Sequence, residues 1–398
     1  MQRIVDKWAA WLVPIALVIA VITFLVTSDV IRAVTVLVVF CPCALVLATP
    51  TSIIAAIGQA TKHGVIIKSG EALENMGRVD TIVFDKTGTL TFGRLSVSDV
   101  KPLAQYISEN DLLKIAASVE ERSEHPLGKA IVSKAKEEGI LLPQAENFTM
   151  LPGKGIRADV DGKTLICGSA AFLNESGIPL GKETETVLNG FRGQGKATIL
   201  IAAADEPPAA GKVLGVIALS DTLRQTAGTM ISELRQTGAE AVLLTGDHAQ
   251  TADWFASQVG IGTVFSEQLP AQKVAQIQAM QQAGRNVCMI GDGVNDAPAL
   301  KTANVGVAMG GMGSDIAIEA ADVALMDDSI EKIPYLKRLS NATIRTIKIN
   351  ITISMIINFA AITLSVLGYL TPVTGALVHN AGSILVTLNA ALLYDRKY

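Results

Sequence analysis

At 398 residues, 49% of them hydrophobic, with a mean hydropathy of +0.40 and a net charge of −4, the chain is too long for one ordinary domain. Near-neutral charge without a long Lys or Arg run excludes nucleic-acid binding on electrostatic grounds, so no nucleic-acid partner is expected. Four cysteines, two of them one residue apart in an apolar run, exclude a disulfide framework and fit a reducing setting.

Four apolar segments, 8–27, 30–55, 349–368 and 372–392, are long enough to cross a hydrocarbon core, which takes roughly 20 helical residues. They form two hairpins, one at each end of the chain. The first is no signal peptide, because it lacks a small-residue cleavage site and a second apolar stretch follows at once. The loops within the hairpins, Ser28-Asp29-Val30 and Gly368 to Thr374, are almost free of Lys and Arg. Arg3, Lys7, Lys62, Lys68, Lys337, Arg338, Arg345, Lys348, Arg396 and Lys397 flank the other ends. The positive-inside rule therefore puts both termini and the long middle in the cytoplasm, with membrane lipid as a partner and the cell membrane as the location.

Cys41-Pro42-Cys43 sits mid-way along the second span. Proline cannot donate to the Val38 carbonyl and displaces the backbone, which lipid tolerates only where the freed groups line a site. Residues two apart on a helix point nearly opposite ways, so both thiolates reach one ion only across a kink or an unwound turn. The bland alternative is a Pro kink beside two small apolar cysteines.

The middle of the chain alternates short β-branched runs with helical stretches, the pattern of a parallel sheet covered by helices. The predicted strands are Thr81-Ile82-Val83-Phe84, Ala241-Val242-Leu243-Leu244, Val287-Cys288-Met289-Ile290 and Asn304-Val305-Gly306-Val307. Polar residues follow the first three directly, and open α/β sheets hold their chemistry at the carboxyl ends of strands. Far more chain than a crossover helix needs separates the first two strands, so 94–211 is read as an inserted domain. The expected organisation is 1–55 (two membrane helices), 56–93 (stalk and first part of the strand-bearing domain), 94–211 (insert), 212–345 (its second part) and 346–398 (two membrane helices).

Asp85-Lys86-Thr87-Gly88-Thr89-Leu90-Thr91 follows the first strand and is the most specific string in the chain. A lone Asp there would read as a helix cap. The full string resembles the P-type ATPases, within the haloacid-dehalogenase-like phosphotransferases, whose Asp attacks the γ-phosphate of ATP. A carboxylate nucleophile splits a difficult transfer into two easier steps. It cannot approach a polyanion without counter-charge, so Mg²⁺ and a protein cation are required. On the resemblance, Gly291-Asp292-Gly293-Val294-Asn295-Asp296 supplies Mg²⁺ ligand Asp292, with Asn295 and Asp296 in support, and Thr87 lends its carbonyl. Thr245-Gly246-Asp247 matches the motif whose Thr hydroxyl binds the phosphoryl group, and Lys273 stands where the family neutralises it.

In the insert, Ser123-Glu124-His125-Pro126-Leu127, Glu120, Gly153-Lys154-Gly155 and Gly168-Ser169 resemble the nucleotide-binding residues of the heavy-metal branch. There the His faces the adenine, and Gly153, Gly155 and Gly168 let the backbone approach ATP closely. A capped loop histidine is the alternative for His125. Cys41-Pro42-Cys43 matches the same branch, and thiolates favour Cu(I), Zn(II), Cd(II) and similar ions. The last hairpin lacks the Tyr-Asn pair and the Met with paired Ser of the copper type. It holds Asn358 and His379 where the zinc and cadmium type has Lys and Asp. Asn358 and His379 are candidate ligands of the transported ion, which favours Zn²⁺, Mn²⁺, Co²⁺ or Cd²⁺ over Cu⁺. Inter-helix hydrogen bonds compete for Asn358 and Asn389. Cys167 and Cys288 read as buried free thiols.

The implied fold is transmembrane α-helices plus an α/β haloacid-dehalogenase-like phosphorylation domain, a Rossmannoid parallel sheet, with an inserted α+β nucleotide-binding domain. The implied function is ATP-driven metal-cation export through an aspartyl phosphate. A membrane-tethered phosphatase of the same superfamily and a potassium-transporting P-type subunit are the alternatives. Complete pumps of this branch carry upstream spans and an actuator domain with Thr-Gly-Glu, a tripeptide absent here. The upstream half and a metal chaperone are therefore expected partners, and the chain alone is expected to dephosphorylate slowly.

Overall fold

A computed structural model describes residues 2–40, 43–151, 154–204, 211–292, 296–310 and 315–397, without the side chains of 2–13, 43–45 and 315. Cys41, Pro42, Gly153, Asn295 and the Cys43 side chain lie outside the described residues.

Helices α1 (Gln2–Thr27), α2 (Val30–Val39) and α3 (Cys43–Lys62) precede β1 (Val65–Ile67), α4 (Gly70–Arg78) and β2 (Thr81–Phe84). Next come β3 (Thr91–Pro102), α5 (Glu109–Glu120), α6 (Pro126–Glu137), β4 (Glu146–Leu151), β5 (Gly155–Val160) and β6 (Lys163–Gly168). They are followed by α7 (Ala170–Glu175), α8 (Lys182–Gly193), β7 (Ala197–Ala203), β8 (Lys212–Leu223), α9 (Ala227–Gln236), β9 (Glu240–Leu244), α10 (Ala249–Val259) and β10 (Thr263–Phe265). The last elements are α11 (Pro270–Gln282), β11 (Val287–Gly291), α12 (Ala297–Thr302), β12 (Val305–Ala308), α13 (Asp315–Ala320), β13 (Val323–Leu325), α14 (Lys332–Val366) and α15 (Pro372–Ala391). The chain divides into two compact units: Met1–Val83 with Thr229–Ala241 and Pro270–Tyr398, and Phe84–Gly228 with Val242–Leu269.

In the first unit α1, α2, α3, α14 and α15 pack together. Large apolar side chains such as Leu25, Val26, Phe359 and Val373 point outward and stay exposed, as helices dissolved in hydrocarbon require. Among the described residues, α14 and Pro372–Tyr394 are long and apolar enough to cross a membrane, and Pro14–Thr27 and Val30–Val39 are shorter apolar helices. The predicted 30–55 span is not one helix: α2 ends at Val39 and α3 begins at Cys43. Pro42, which lacks the amide hydrogen a continuing helix needs, falls in that interval. Asp29 starts α2 by accepting the Ile31 and Arg32 amides at 2.8 and 3.3 Å, and a Thr371/Thr374 capping box starts α15.

Two contacts set the register of the bundle. Gln59 Nε2 donates to the Arg396 carbonyl at 2.9 Å, one residue beyond Gly58, which faces the Tyr394 ring. Asn350 Nδ2 donates to the Val386 carbonyl at 3.3 Å, Asn389 Nδ2 donates to Asn350 Oδ1 at 2.6 Å, and Gly382 packs on Ile357. Counted at helical rise from the Gly58–Tyr394 and Gly382–Ile357 contacts, Cys43 falls near the level of His379, and Asn358 within about a turn of it.

The sheet of this unit runs β1-β13-β12-β11-β2 and on to the start of β9. Strand β1 pairs antiparallel with β13, whereas β13, β12 and β11 are parallel. Strands β2, β11 and β12 are buried at every residue, which explains their unbroken apolar runs. In the second unit the last three residues of β9 pair parallel with β10. A six-stranded antiparallel sheet, β3-β8-β7-β6-β5-β4, makes the rest. Its side chains alternate between two cores. Leu165, Cys167, Ile199 and Ile201 meet Leu112 and Leu113 of α5 and Ile131 of α6, while Ile166, Leu200 and Ala202 meet Phe172 of α7 and Leu188 of α8. The sheet starts at Thr91 and ends at Leu223.

Helix α14 is anchored to the strand-bearing part of its unit by Lys337. Its buried ammonium donates to the carbonyls of Met76, Gly77 and Val79 at 3.0, 3.2 and 2.6 Å, closing the carboxyl end of α4. Replacing Lys337 by Met leaves these carbonyls without their donor and is expected to cost about 2 kcal/mol, read as a lower melting temperature.

Candidate active site

Asp85 directly follows β2, is buried, and opens a turn over Lys86–Leu90 in which Gly88 takes φ +71°, a conformation that favours glycine. Its Oδ2 accepts the Thr87 amide at 3.1 Å. The turn is held from β8 and its exit. Thr91 donates its hydroxyl to the Lys86 carbonyl at 3.0 Å and also to Asp221. Buried Arg224 donates Nε to the Thr91 carbonyl at 3.2 Å and a terminal nitrogen to the Gly88 carbonyl at 3.4 Å, and its guanidinium lies 4.8 Å from the Phe92 ring centre. Burial pushes the Asp221 carboxyl up, against the Thr91 hydrogen bond and nearby Lys86. Sequence reasoning missed Asp221 and Arg224. The available signal was Ser220-Asp221-Thr222-Leu223-Arg224, a polar string closing an apolar run.

Lys86 pairs with the Asp247 carboxylate, and its Nζ lies 4.9 Å from the Phe255 ring centre. The structure thus brings the first and second motifs together. Thr245 is buried and its Oγ1 accepts the Asp247 amide at 3.2 Å, while its own amide donates to the Phe265 carbonyl at 2.9 Å. Gly246 lies between them. In the first unit, Lys273 Nζ meets Asp296 Oδ1 at 2.8 Å with both groups buried. Lys273 thus has an acidic partner inside its own unit. Asp292 is half-buried just past β11, and Asn295 lies outside the described residues.

In the insert His125 is exposed and caps α6, its Nδ1 accepting the Leu127 amide at 3.3 Å. The capped-loop reading of this histidine is thus realised, with its ring still open to solvent. Glu120 is 5% exposed, and its carboxylate occupies the space a Cβ on Gly128 would need. Gly155 and Gly168 face each other across β5 and β6, and a Cβ on Gly155 would lie 2.3 Å from the Cys167 carbonyl. These glycines are required by strand packing before any ligand is considered. Gly153 lies outside the described residues.

On the membrane helices His379 is buried in α15 and Asn358 half-buried in α14. Asn389 makes the inter-helix hydrogen bond weighed above, with Asn350 as acceptor. Cys41 and the Cys43 side chain lie outside the described residues, and no group of three His, Cys, Asp or Glu among the described residues could hold a metal. Cys167 and Cys288 are buried free thiols, pushed up by burial.

Burial also raises the Glu120 carboxyl, against one hydrogen bond from Ser123. The folded state then holds this proton more tightly than the unfolded chain, so Glu120 contributes stability below its unfolded pKa that is lost as pH rises through the folded value. Glu120→Gln is expected to gain stability relative to wild type between pH 4 and pH 7, roughly the range over which a raised carboxyl titrates. Melting temperatures of both proteins at these two pH values check it.

The family described as "Hydrolase: haloacid dehalogenase-like hydrolase" matches residues 79–304. The cadmium-transporting ATPase of Staphylococcus aureus is 42% identical over 407 residues, covering 98% of this chain and 55% of that protein. The zinc-exporting P-type ATPase of Mycobacterium marinum and the manganese-exporting P-type ATPase of Mycobacterium bovis are each 38% identical over 393 residues, 98% of this chain and 53% and 54% of theirs. The chain spans about half the length of the curated relatives it matches. A crystal structure of a zinc-transporting PIB-type ATPase in its E2.Pi state superposes with a TM-score of 0.87 at 36% identity, over 97% of this chain and 62% of that one. The catalytic domain of the CPx-ATPase CopB-B gives 0.54 at 30% identity, over 72% of this chain and 99% of that one. The hydrolase match over more than half the chain, and the near-complete coverage of a CPx-ATPase catalytic domain, place this chain in the haloacid dehalogenase-like hydrolases and, among them, in the heavy-metal CPx-type P-type ATPases.

Proposed function

We propose that this chain carries the phosphorylation and nucleotide-binding machinery and part of the ion path of an ATP-driven pump exporting a transition or heavy-metal cation. The observation that carries the reading is the Asp85 turn: a buried carboxylate accepts the Thr87 amide, Thr91 and Arg224 hold the turn through its Lys86 and Gly88 carbonyls, and the Lys86–Asp247 pair lies beside it. Membership of the CPx-type ATPases favours the pump over a tethered phosphatase or a potassium-transporting subunit.

Asp85 is the nucleophile that takes the γ-phosphoryl group of ATP. Thr245 hydrogen-bonds that group through its hydroxyl, Lys273 offsets its charge, and Lys86, Gly246 and Asp247 fix the second motif against the first. By motif order, the Asp85 carboxylate, the Thr87 carbonyl and Asp292, with Asn295 and Asp296 in support, would supply the hard oxygen set that suits Mg²⁺. When bound, Mg²⁺ neutralises charge on the transferring phosphate. The assignment of Asp292 rests on motif order and its place just past β11. The 94–211 insert, through Glu120, His125, Gly153, Gly155 and Gly168, binds the nucleotide. The soluble parts lie in the cytoplasm and the helices cross the cell membrane several times, with an upstream half and a metal chaperone as partners.

The cation is bound by Cys41 and Cys43 with His379 and Asn358. The common level of Cys43, His379 and Asn358 in the helix register supports this set. Relatives are named for cadmium, zinc and manganese transport and, at the same 38% identity as the last two, for copper export, so the preference for a divalent ion rests on the mixed Cys, His and Asn set.

Incubation with [γ-³²P]ATP and Mg²⁺ is expected to label Asp85 as an acid-stable, hydroxylamine-labile acyl phosphate, absent in Asp85→Asn. Equal labelling of that variant refutes the assignment. For the ion path, His379→Ala is expected to weaken Zn²⁺ binding by about tenfold or more, since even groups that only orient a ligand are worth that much. Equilibrium titration in nanodiscs measures it, and unchanged affinity leaves His379 a packing residue.

A further inference from the structure

Hydroxyls on membrane helices ordinarily donate to the carbonyl one turn earlier, since no water is at hand. Thr35, Ser52, Thr343, Thr352, Thr363, Ser365 and Ser383 all do so, at 2.7–3.1 Å. Ser340, near the Lys337 end of α14, does not, and within the apolar stretches neither do Thr49 on α3 and Ser354 on α14. Their side-chain oxygens are buried, with the residues 1% and 2% exposed, and have no hydrogen-bond partner among the described residues. A buried hydroxyl left unpaired costs free energy, and a carbonyl one turn away would have removed that cost.

The two hydroxyls occupy one level of the bundle. Counted back at helical rise from the contact of Gly58 with Tyr394, at the end of α15, Thr49 falls within about a residue of Val386. The register fixed by Gly382 on Ile357 carries Ser354 to the height of Leu385, the next residue. At that height Asn350 donates to the Val386 carbonyl, and Asn389 donates to Asn350. Three packed helices, α3, α14 and α15, therefore bring two open hydroxyls and a carboxamide pair to one depth. This depth lies between the Cys43–His379 level and the ends of α3 and α15 that meet at Gln59 and Arg396.

We infer that Thr49 and Ser354, with the Asn350–Asn389 pair, form a neutral oxygen station that holds a divalent cation with part of its water shell on its way to the thiolates. The inference rests on the pump reading above. Hydroxyl and carboxamide oxygens are poor ligands for a soft monovalent ion but replace or hydrogen-bond the waters of Zn²⁺ or Mn²⁺. Without a formal charge the station does not trap the ion, so it eases dehydration rather than adding a second tight site.

The test is stopped-flow association of Zn²⁺ and, separately, Cu⁺ with the full chain in lipid nanodiscs. Wild type, Thr49→Val/Ser354→Ala, Thr49→Ser and Cys41→Ser/Cys43→Ser are compared. The double hydroxyl variant is expected to bind Zn²⁺ about tenfold more slowly, roughly the worth of one lost hydrogen bond. Cu⁺ association stays unchanged, and Thr49→Ser keeps the wild-type rate. Unchanged Zn²⁺ association with a raised melting temperature overturns the proposal, showing two strained hydroxyls and no station. Equal slowing of Zn²⁺ and Cu⁺ overturns it as a packing defect. Full Zn²⁺ binding in the cysteine variant would remove the thiolate ion path; the station then stands or falls on the hydroxyl variant alone.

Discussion

In the proposed pump the Asp85 carboxylate attacks a phosphate and has to be kept from moving away from it, and the loop carrying Asp85 depends on one arrangement for that. The Lys86–Leu90 turn contains a left-handed glycine and would have little reason to keep its shape alone. Arg224 fills its carbonyls from one side and Asp221 takes the Thr91 hydroxyl from the other. Lys86 is held outward against Asp247 and the Phe255 ring. Three segments distant in sequence are thereby made into one rigid seat, and Asp85 needs only its own bond to the Thr87 amide to be oriented.

How much of this could be read from the sequence follows the range of the interactions. Strands β2, β11 and β12 were legible because burial on both faces demands unbroken apolar runs. Residues after their last positions drew attention because parallel sheets place chemistry there. The 94–211 insert was read from length alone, whereas the antiparallel sheet runs from Thr91 to Leu223. Asp221, Arg224 and Lys337 were not legible: each acts on backbone carbonyls or hydroxyls far away in sequence, and no spacing rule records such a contact. The 30–55 stretch looked like one span because hydropathy is blind to the lost amide of Pro42, although the kink argument from Cys41-Pro42-Cys43 pointed to the interruption.

The glycines of the insert show how a motif can have two causes. Gly155 and Gly168 are the residues a nucleotide-binding resemblance singles out. They are also the only choice for two strands whose backbones and Phe172 approach so closely. Glu120 is similar: a carboxylate pressed against Gly128 and Ser123 shapes the start of α6, at whose cap His125 stands open to solvent. Packing in this region therefore fixes the position of the exposed His125 ring.

Helix α14 runs through 35 residues without a break, about 52 Å at 1.5 Å per residue, and its one proline, Pro334, lies in its first turn. A rod of that kind has nowhere to fold up. Near one end the Lys337 ammonium is plugged into the carbonyls that lead into β2; at the other, Gly368 turns at φ +82° against the Arg32 side chain. An unbroken helix held at one end carries a displacement of the strand along its length toward the Gly368 turn. The helix serves as a lever arm whose gain is set by its length.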